Sequence, residues 1–199
     1  MFVNYSMLKK MIKRAYEGDG LTVACTHDLV MIQSSRWGIS VKRKFLHNKV
    51  KAALMEYIGD LPEVGEAWTY TKDGKNTERQ QEMFESVEES FTFKPGDVYQ
   101  ATNVYVSTFQ GTYQVYEGPD MNKVYVNSVF AALISAMNVE GGRGEIQPEG
   151  WRAGGGSYLL RANNVMTLYC HKYSGQTQLE VELLKFTKDT SFLEKDAFI

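Results

Sequence analysis

Apolar positions recur along this chain with two periods, and the changes from one to the other mark out its elements. Leu8, Met11, Ile12 and Tyr16 return at three- and four-residue spacing while Lys9, Lys10, Lys13 and Arg14 fill the other face, the pattern of an amphipathic helix. Ser6 is its expected N-cap, and Gly18 and Gly20 end it. From Leu21 the period shortens to two. Leu21, Val23 and Cys25 alternate with Thr22, Ala24 and Thr26, and His27-Asp28 turns the chain into a second strand over 29–33. Ser34-Ser35 is the next turn, and 37–41 pairs back as a third strand. This meander ends in the basic run Lys42-Arg43-Lys44.

A second helix follows, with Asn48 as its expected cap, Val50, Ala53, Leu54, Tyr57 and Ile58 as its apolar face, and Gly59 as a stop able to take the left-handed conformation. After the strand-like Trp68-Thr69-Tyr70-Thr71 and a turn at Lys72-Asp73-Gly74, residues 76–97 read as a short acidic helix that joins two halves. Its acids are Glu78, Glu82, Glu85, Glu88 and Glu89. Residues 98–109 and 112–117 are rich in Tyr, Val and Thr and flank Gln110-Gly111, the signal of a hairpin. Another helix is expected with Val129, Ala132, Leu133, Ala136 and Met137 inward, then a Gly-rich loop over 138–156. Strands are predicted over 158–162, 165–173 and 178–186.

The helices also carry a repeat. Asn48-Lys49-Val50-Lys51-Ala52-Ala53-Leu54-Met55 returns as Asn127-Ser128-Val129-Phe130-Ala131-Ala132-Leu133-Ile134, with Asn, Val, Ala, Ala and Leu in register. Each copy precedes a Gly-containing stretch that runs into Trp68 or Trp151, so the self-similarity is architectural. The implied fold class is α+β: two related strand-strand-helix halves, about 1–75 and 98–188, with antiparallel sheets and helices packed on one face of a single compact domain. Strict alternation of strand and helix is absent, which argues against a doubly wound parallel sheet. In order of elements the unit resembles the repeat of DNA sliding clamps, a helix followed by several antiparallel strands. That resemblance implies topology, since a fold does not carry a function.

Composition narrows the class. With 199 residues, 43% hydrophobic, 23% charged and only four prolines, the chain can bury a full core and reads as a soluble globular protein. No apolar run approaches the roughly 20 residues that span a bilayer, so a cytoplasmic address without membrane contact is expected. Cys25 and Cys170 are far apart in strand-like surroundings, which suits reduced, buried thiols better than a disulfide framework. The net charge of −2 hides an asymmetry. Residues 1–60 carry ten Lys/Arg against five Asp/Glu, a net +5, and the remainder twelve against nineteen, a net −7. Such a division steers acidic and basic partners to different sides.

Candidate chemistry is sparse. Cys25, His27, Cys170 and His171 form a zinc-like ligand set, yet adjacent Cys170 and His171 must leave opposite faces of one strand. Met166, Leu168 and Cys170 read as inward there, and Tyr169, His171 and Tyr173 as outward. A Cys/His nucleophilic site on the same residues is the enzymatic alternative. The glycines of 141–144 and 154–156 lie between a helix and a strand, whereas phosphate loops lead from a strand into a helix. No cofactor, metal or catalytic residue is therefore expected.

Binding residues are better marked. Arg36, Trp37, Lys42, Arg43, Lys44, Lys49 and Lys51, with His47, gather around the entry of the second helix, whose free N–H groups also favour phosphate. Lys9, Lys10, Lys13 and Arg14 extend this candidate surface for nucleic acid or another acidic partner. Glu78, Glu82, Glu85 and Glu89 are the corresponding candidates for a basic partner. Tyr99, Tyr105, Tyr113 and Tyr116 fall on strands from which alternate side chains can reach a protein interface. The expected function is a non-enzymatic binding protein that engages another protein or a nucleoprotein complex. A phage or mobile-element inhibitor of host machinery, such as a CRISPR or restriction system, is of this style. Nucleic-acid binding through residues 36–51 is the alternative.

Overall fold

The computed structural model describes residues 3–76, 96–134, 151–153, 158–173, 177–187 and 192. The expected acidic helix with Glu78, Glu82, Glu85 and Glu89, and both Gly-rich loops, lie outside them. The fold is mixed α+β, with extensive antiparallel sheet and few helices. The chain divides into two compact units, each gathered from separate stretches.

The first unit opens with helix α1 (Tyr5–Glu17), which buries Leu8, Met11, Ile12 and Ala15. Its cap is Asn4, not Ser6: the Asn4 carboxamide oxygen accepts the Met7 N–H at 3.1 Å. Asn4 Oδ1 therefore satisfies one of the donors that every helix start leaves open, and Ser6 is already inside the first turn. Gly20 closes the other end by donating to Ala15 O at 2.8 Å.

Strands β1 (Leu21–Cys25), β2 (Leu29–Ser34) and β3 (Trp37–Lys42) form the expected meander. Thr26 shapes its first turn, its hydroxyl accepting the N–H groups of Asp28 and Leu29. Strands β4 (Glu66–Thr71) and β5 (Gly74–Asn76) extend the sheet on the side of β1, and β11 (Met166–His171) lies beside β3, so the order is β5-β4-β1-β2-β3-β11. Antiparallel register aligns Val23 with Ile32 and Ile32 with Ile39, all fully buried. The opposite face aligns Ala67, Ala24 and Met31 across β4, β1 and β2, and these three pack together beneath Leu29. Both faces are thus covered, which removes the alternation of a half-exposed strand.

Tyr169 shows the consequence. The strand period placed it outward, yet it is 3% exposed, its ring lies over Gly38, and its hydroxyl donates to Gln33 Oε1 at 2.8 Å. The glycine leaves the space that the ring fills.

Helix α2 (Asn48–Ile58) buries Val50, Ala53 and Leu54. Gly59 follows at φ 76°, a conformation natural to glycine, and donates to Met55 O at 3.0 Å. Tyr5 lies 4.7 Å from His47 and Tyr16 lies 5.2 Å from Tyr57, ring to ring. Contact at both ends lays α1 and α2 side by side in the same direction.

The second unit is a sheet of order β10-β9-β6-β7-β8, from β6 (Val98–Thr108), β7 (Gly111–Glu117), β8 (Lys123–Asn127), β9 (Trp151–Ala153) and β10 (Tyr158–Ala162). The hairpin turns where Gln110-Gly111 predicted. Register shifts between Ala101 and Tyr105. There the Thr102 hydroxyl donates to Val115 O and accepts the Val104 N–H, holding the irregular backbone. Val106, Tyr113, Val115, Tyr125 and Leu184 form the core cluster.

Helix α3 (Ser128–Leu133) begins the second copy of the repeated phrase. Leu54 and Leu133 are both fully buried, and Asn127 caps its copy by accepting the Val129 N–H at 3.0 Å. The copies are not presented identically: Ala53 is buried while Ala132 is exposed, and Phe130 turns inward. Ala136 and Met137 lie outside the described residues. The final expected strand is instead helix α4 (Gln178–Phe186). Thr177 O accepts the Val181 N–H, and Gln178 Nε2 reaches Glu182 Oε1, one helical turn away. Leu, Glu and Lys are strong helix formers, and that propensity overrides the short alternation Leu179-Glu180-Val181-Glu182.

Candidate binding surface

The basic positions after the meander form a continuous exposed strip. Lys42 ends β3, Arg43 and Lys44 lie in a 3₁₀ turn (Arg43–Phe45), and Lys49 and Lys51 occupy the first turns of α2. All five side chains are exposed. Among the described residues none forms an ion pair with a carboxylate, whereas Lys9 is held by Glu56 at 2.6 Å and Lys13 lies 3.6 Å from Glu17. The strip therefore keeps its full positive charge, while part of the α1 charge is neutralised. Backbone bonds hold it to the sheet: the Arg43 N–H donates to Asp28 O at 2.7 Å, and the Lys42 N–H to Val165 O at 2.9 Å.

Two of the expected residues do not belong to this surface. Trp37 is 6% exposed and is part of the core, because every residue of β3 before Lys42 is covered. Arg36 is exposed but sits at the opposite end of β3 from Lys42, roughly 20 Å away at ~3.3 Å per strand residue. Charge distribution had grouped these residues; strand length separates them.

His47, read as lying beside the cap, is the cap. Its Nδ1 accepts the Lys49 N–H at 3.1 Å, and its carbonyl accepts the N–H groups of Val50 and Lys51. The amides expected to be open to phosphate are thus largely satisfied within the chain, and attraction for an anion falls to the side-chain cations.

Neither thiol is placed for nucleophilic chemistry. Cys25 and Cys170 are free and fully buried. Burial pushes both thiols up, opposed at Cys25 by the nearby Arg43 charge. Thiolate formation is therefore disfavoured where a reactive cysteine needs it. His171 stacks obliquely on Tyr158, ring centroids 4.2 Å apart. No group of three or more His, Cys, Asp or Glu side chains arranged to hold a metal occurs among the described residues. Among them, too, no helix is long and apolar enough to cross a membrane.

The expected aromatic interface separates into core and surface. Tyr113 and Tyr116 are each 5% exposed; Tyr113 stacks on Tyr173 at 3.9 Å, and Tyr116 meets Trp151 edge-on. Tyr99 packs against Gly118. Tyr105 alone of the four is exposed, joined by Phe109 at the hairpin tip, which sequence reasoning had treated as the end of a strand.

No family model matches this chain, and no curated protein matches it. A solved structure that is similar is the crystal structure of a candidate DNA polymerase III beta subunit from Eubacterium rectale ATCC 33656, at 10% identity and a TM-score of 0.35, covering 92% of this chain. This chain spans 66% of the length of that one. Likeness of this degree assigns neither a family nor an activity.

Proposed function

We propose that this chain is a non-enzymatic binding protein whose strip Lys42, Arg43, Lys44, Lys49 and Lys51 engages an acidic macromolecular partner, a protein or a nucleoprotein complex. The observation that carries the reading is the combination of five exposed cations, unpaired among the described residues, with a rigid mount of sheet and helix. Fixed like charges attract a complementary surface without the ordering cost that a mobile segment carries. The burial of both thiols argues against a cysteine nucleophile, and a cytoplasmic address is part of the same proposal.

The reading includes an architecture of two related halves. The repeated phrase supports it, with both copies opening a helix and both leucines buried.

Capture of the tagged chain's partners from host lysate, with and without nuclease, tests the function. A stoichiometric partner that survives nuclease is expected, and the quintuple variant Lys42→Glu, Arg43→Glu, Lys44→Glu, Lys49→Glu, Lys51→Glu should lose it by at least tenfold while folding normally. Undiminished capture by that variant sinks the role of the strip. The exposed cations also favour a second reading, direct binding of nucleic acid. In that case capture is nuclease-sensitive, and each lysine removed lowers the slope of log affinity against log salt by about one.

A further inference from the structure

One stretch of the second unit carries no charge. From Val98 to Tyr116 there is no Asp, Glu, Lys or Arg, in a chain that is 23% charged. The stretch comprises β6, the turn Phe109-Gln110 and nearly all of β7. Among the described residues β6 is the longest strand, and β7 lines one of its edges down to the turn. On the other edge, β9 pairs with Val98 and Tyr99 only. From Ala101 to Thr108 no described strand lies there. The two-residue turn fixes which backbone groups point that way. It closes on the pair Thr108 and Gly111, and bonded pairs alternate from that point. Thr108 and Val106 therefore bond to β7, while Tyr105 and Ser107 aim their N–H and C=O groups outward. The side chains of Tyr105 and Ser107 share the exposed face, where the Ser107 hydroxyl meets that of Thr112, and Val106 turns into the core cluster.

An open edge accepts a further strand, and such edges are commonly guarded by shortness, charge or proline. The end strands of the two units are guarded in this way. β5 has three residues and carries Lys75, and β8 carries Lys123 and is bridged at Tyr125 by Tyr173. In β6 the register shift between Ala101 and Tyr105 interrupts the edge, which leaves Tyr105–Thr108 regular up to the turn. Tyr105 is 55% exposed and Phe109 79%, so apolar surface flanks the outward backbone. Because backbone groups match any strand, the side chains select the partner. Twofold pairing sets an edge against itself and is repulsive wherever that edge is charged. Here no charge opposes it, and a charged segment finds no counter-charge. We propose that β6 pairs antiparallel with β6 of a second copy of this chain, about a twofold axis at Val106. This register sets Tyr105 of each copy opposite Ser107 of the other, joins the outward groups, and forms about four backbone hydrogen bonds. A seam this small makes a dimer that associates and separates with concentration. It lies apart from the basic strip in sequence and does not depend on the reading given to that strip.

Analytical ultracentrifugation of the full chain from about 1 µM to about 1 mM should show a reversible monomer–dimer equilibrium. The double variant Tyr105→Lys, Ser107→Lys sets lysine opposite lysine across the seam and should weaken dimerisation at least tenfold. The variant Tyr105→Lys, Ser107→Glu sets lysine opposite glutamate in the same register and should return the affinity to within about threefold of wild type. Both positions are exposed, and melts at low concentration check that each variant folds. A chain that stays monomeric throughout, or a double-lysine variant that dimerises like wild type, overturns the proposal. The first of these results would leave the edge to an extended segment of another protein. A lysine–glutamate variant no better than the double-lysine one overturns the register. A second measurement needs no variant. In ¹⁵N-labelled wild-type chain the amides of Tyr105 and Ser107 should exchange more slowly at high concentration than at low, while those of Val106 and Thr108, already bonded to β7, should change little. Equal exchange of Tyr105 and Ser107 at both concentrations, in a sample that sediments as a dimer, overturns pairing through β6.

Discussion

Gly38 and Tyr169 are one structural decision written at two distant positions. A methyl group on residue 38 would come within 2.2 Å of Tyr169 Cε1, and the ring cannot simply swing away because its hydroxyl is bonded to Gln33. Gly38→Ala should therefore destabilise the chain by about 1–3 kcal/mol through overpacking, seen as a lower urea midpoint at unchanged slope. In a Tyr169→Ala background the same substitution should cost much less, because the clash is gone. Equal costs in the two backgrounds would show that the ring is not what Gly38 accommodates. Neither residue announced this in the sequence. Period-two alternation sent Tyr169 outward, and nearness to the basic run put Trp37 into a candidate site; both failed because β3 is covered, with β2 and β11 on either side and the Tyr169 ring over Gly38. Exposure of a strand residue depends on what packs above it, and local pattern does not carry that.

At the level of elements, α2 joins stability to charge. His47 closes the helix start through Nδ1, so His47→Ala should cost about 0.5–2 kcal/mol. His47→Asn should recover most of the loss, because its carboxamide oxygen can accept the same N–H. Thermal melts of the two variants decide this; equal melting points would mean that the imidazole is no cap. Since neither substitution touches the five cations of the strip, partner binding should survive both. Elements were most legible where periodicity and turn chemistry agreed, as in the meander from Leu21 to Lys42 and the hairpin at Gln110-Gly111. They were least legible where two periods fit equally well. Four alternating residues at 179–182 suit a strand, and helix α4 becomes evident only from the Gln178–Glu182 pair and the Tyr125 hydroxyl packed against Leu184 O. The strip was readable because a run of adjacent cations stays exposed in almost any local structure. Arg36 was misassigned because six strand residues of separation do not show in a count of charges.

For the molecule as a whole, buried proton donors set the response to alkali. Burial pushes up the thiols of Cys25 and Cys170 and the phenols of Tyr70, Tyr99 and Tyr125. Each of these five holds its proton more firmly folded than unfolded, so the unfolded chain binds fewer protons at them and their contribution to stability falls as pH rises, while Lys172, whose ammonium burial disfavours, acts in the opposite sense. The window follows from the order of ordinary values: thiols begin to ionise in the unfolded chain near pH 8.5 and phenols near pH 10. Each fully uncompensated proton adds a slope of about 1.4 kcal/mol per pH unit. Melting temperature should accordingly be flat from pH 7 to 8, decline from about pH 8.5, and decline more steeply above about pH 10. The double variant Cys25→Ala, Cys170→Ala should remove the first decline and keep the second. A wild-type melting temperature that holds level to pH 10.5 would mean that the thiols and phenols are not buried as donors. On the acid side Glu56 is held down by Lys9 and Glu66 by the Trp68 N–H, but both carboxylates are open to water. Screening leaves such surface pairs little weight. The marked pH sensitivity therefore belongs to the core and not to the charged face, and a change in partner binding between pH 7 and 8 would have to arise at the surface.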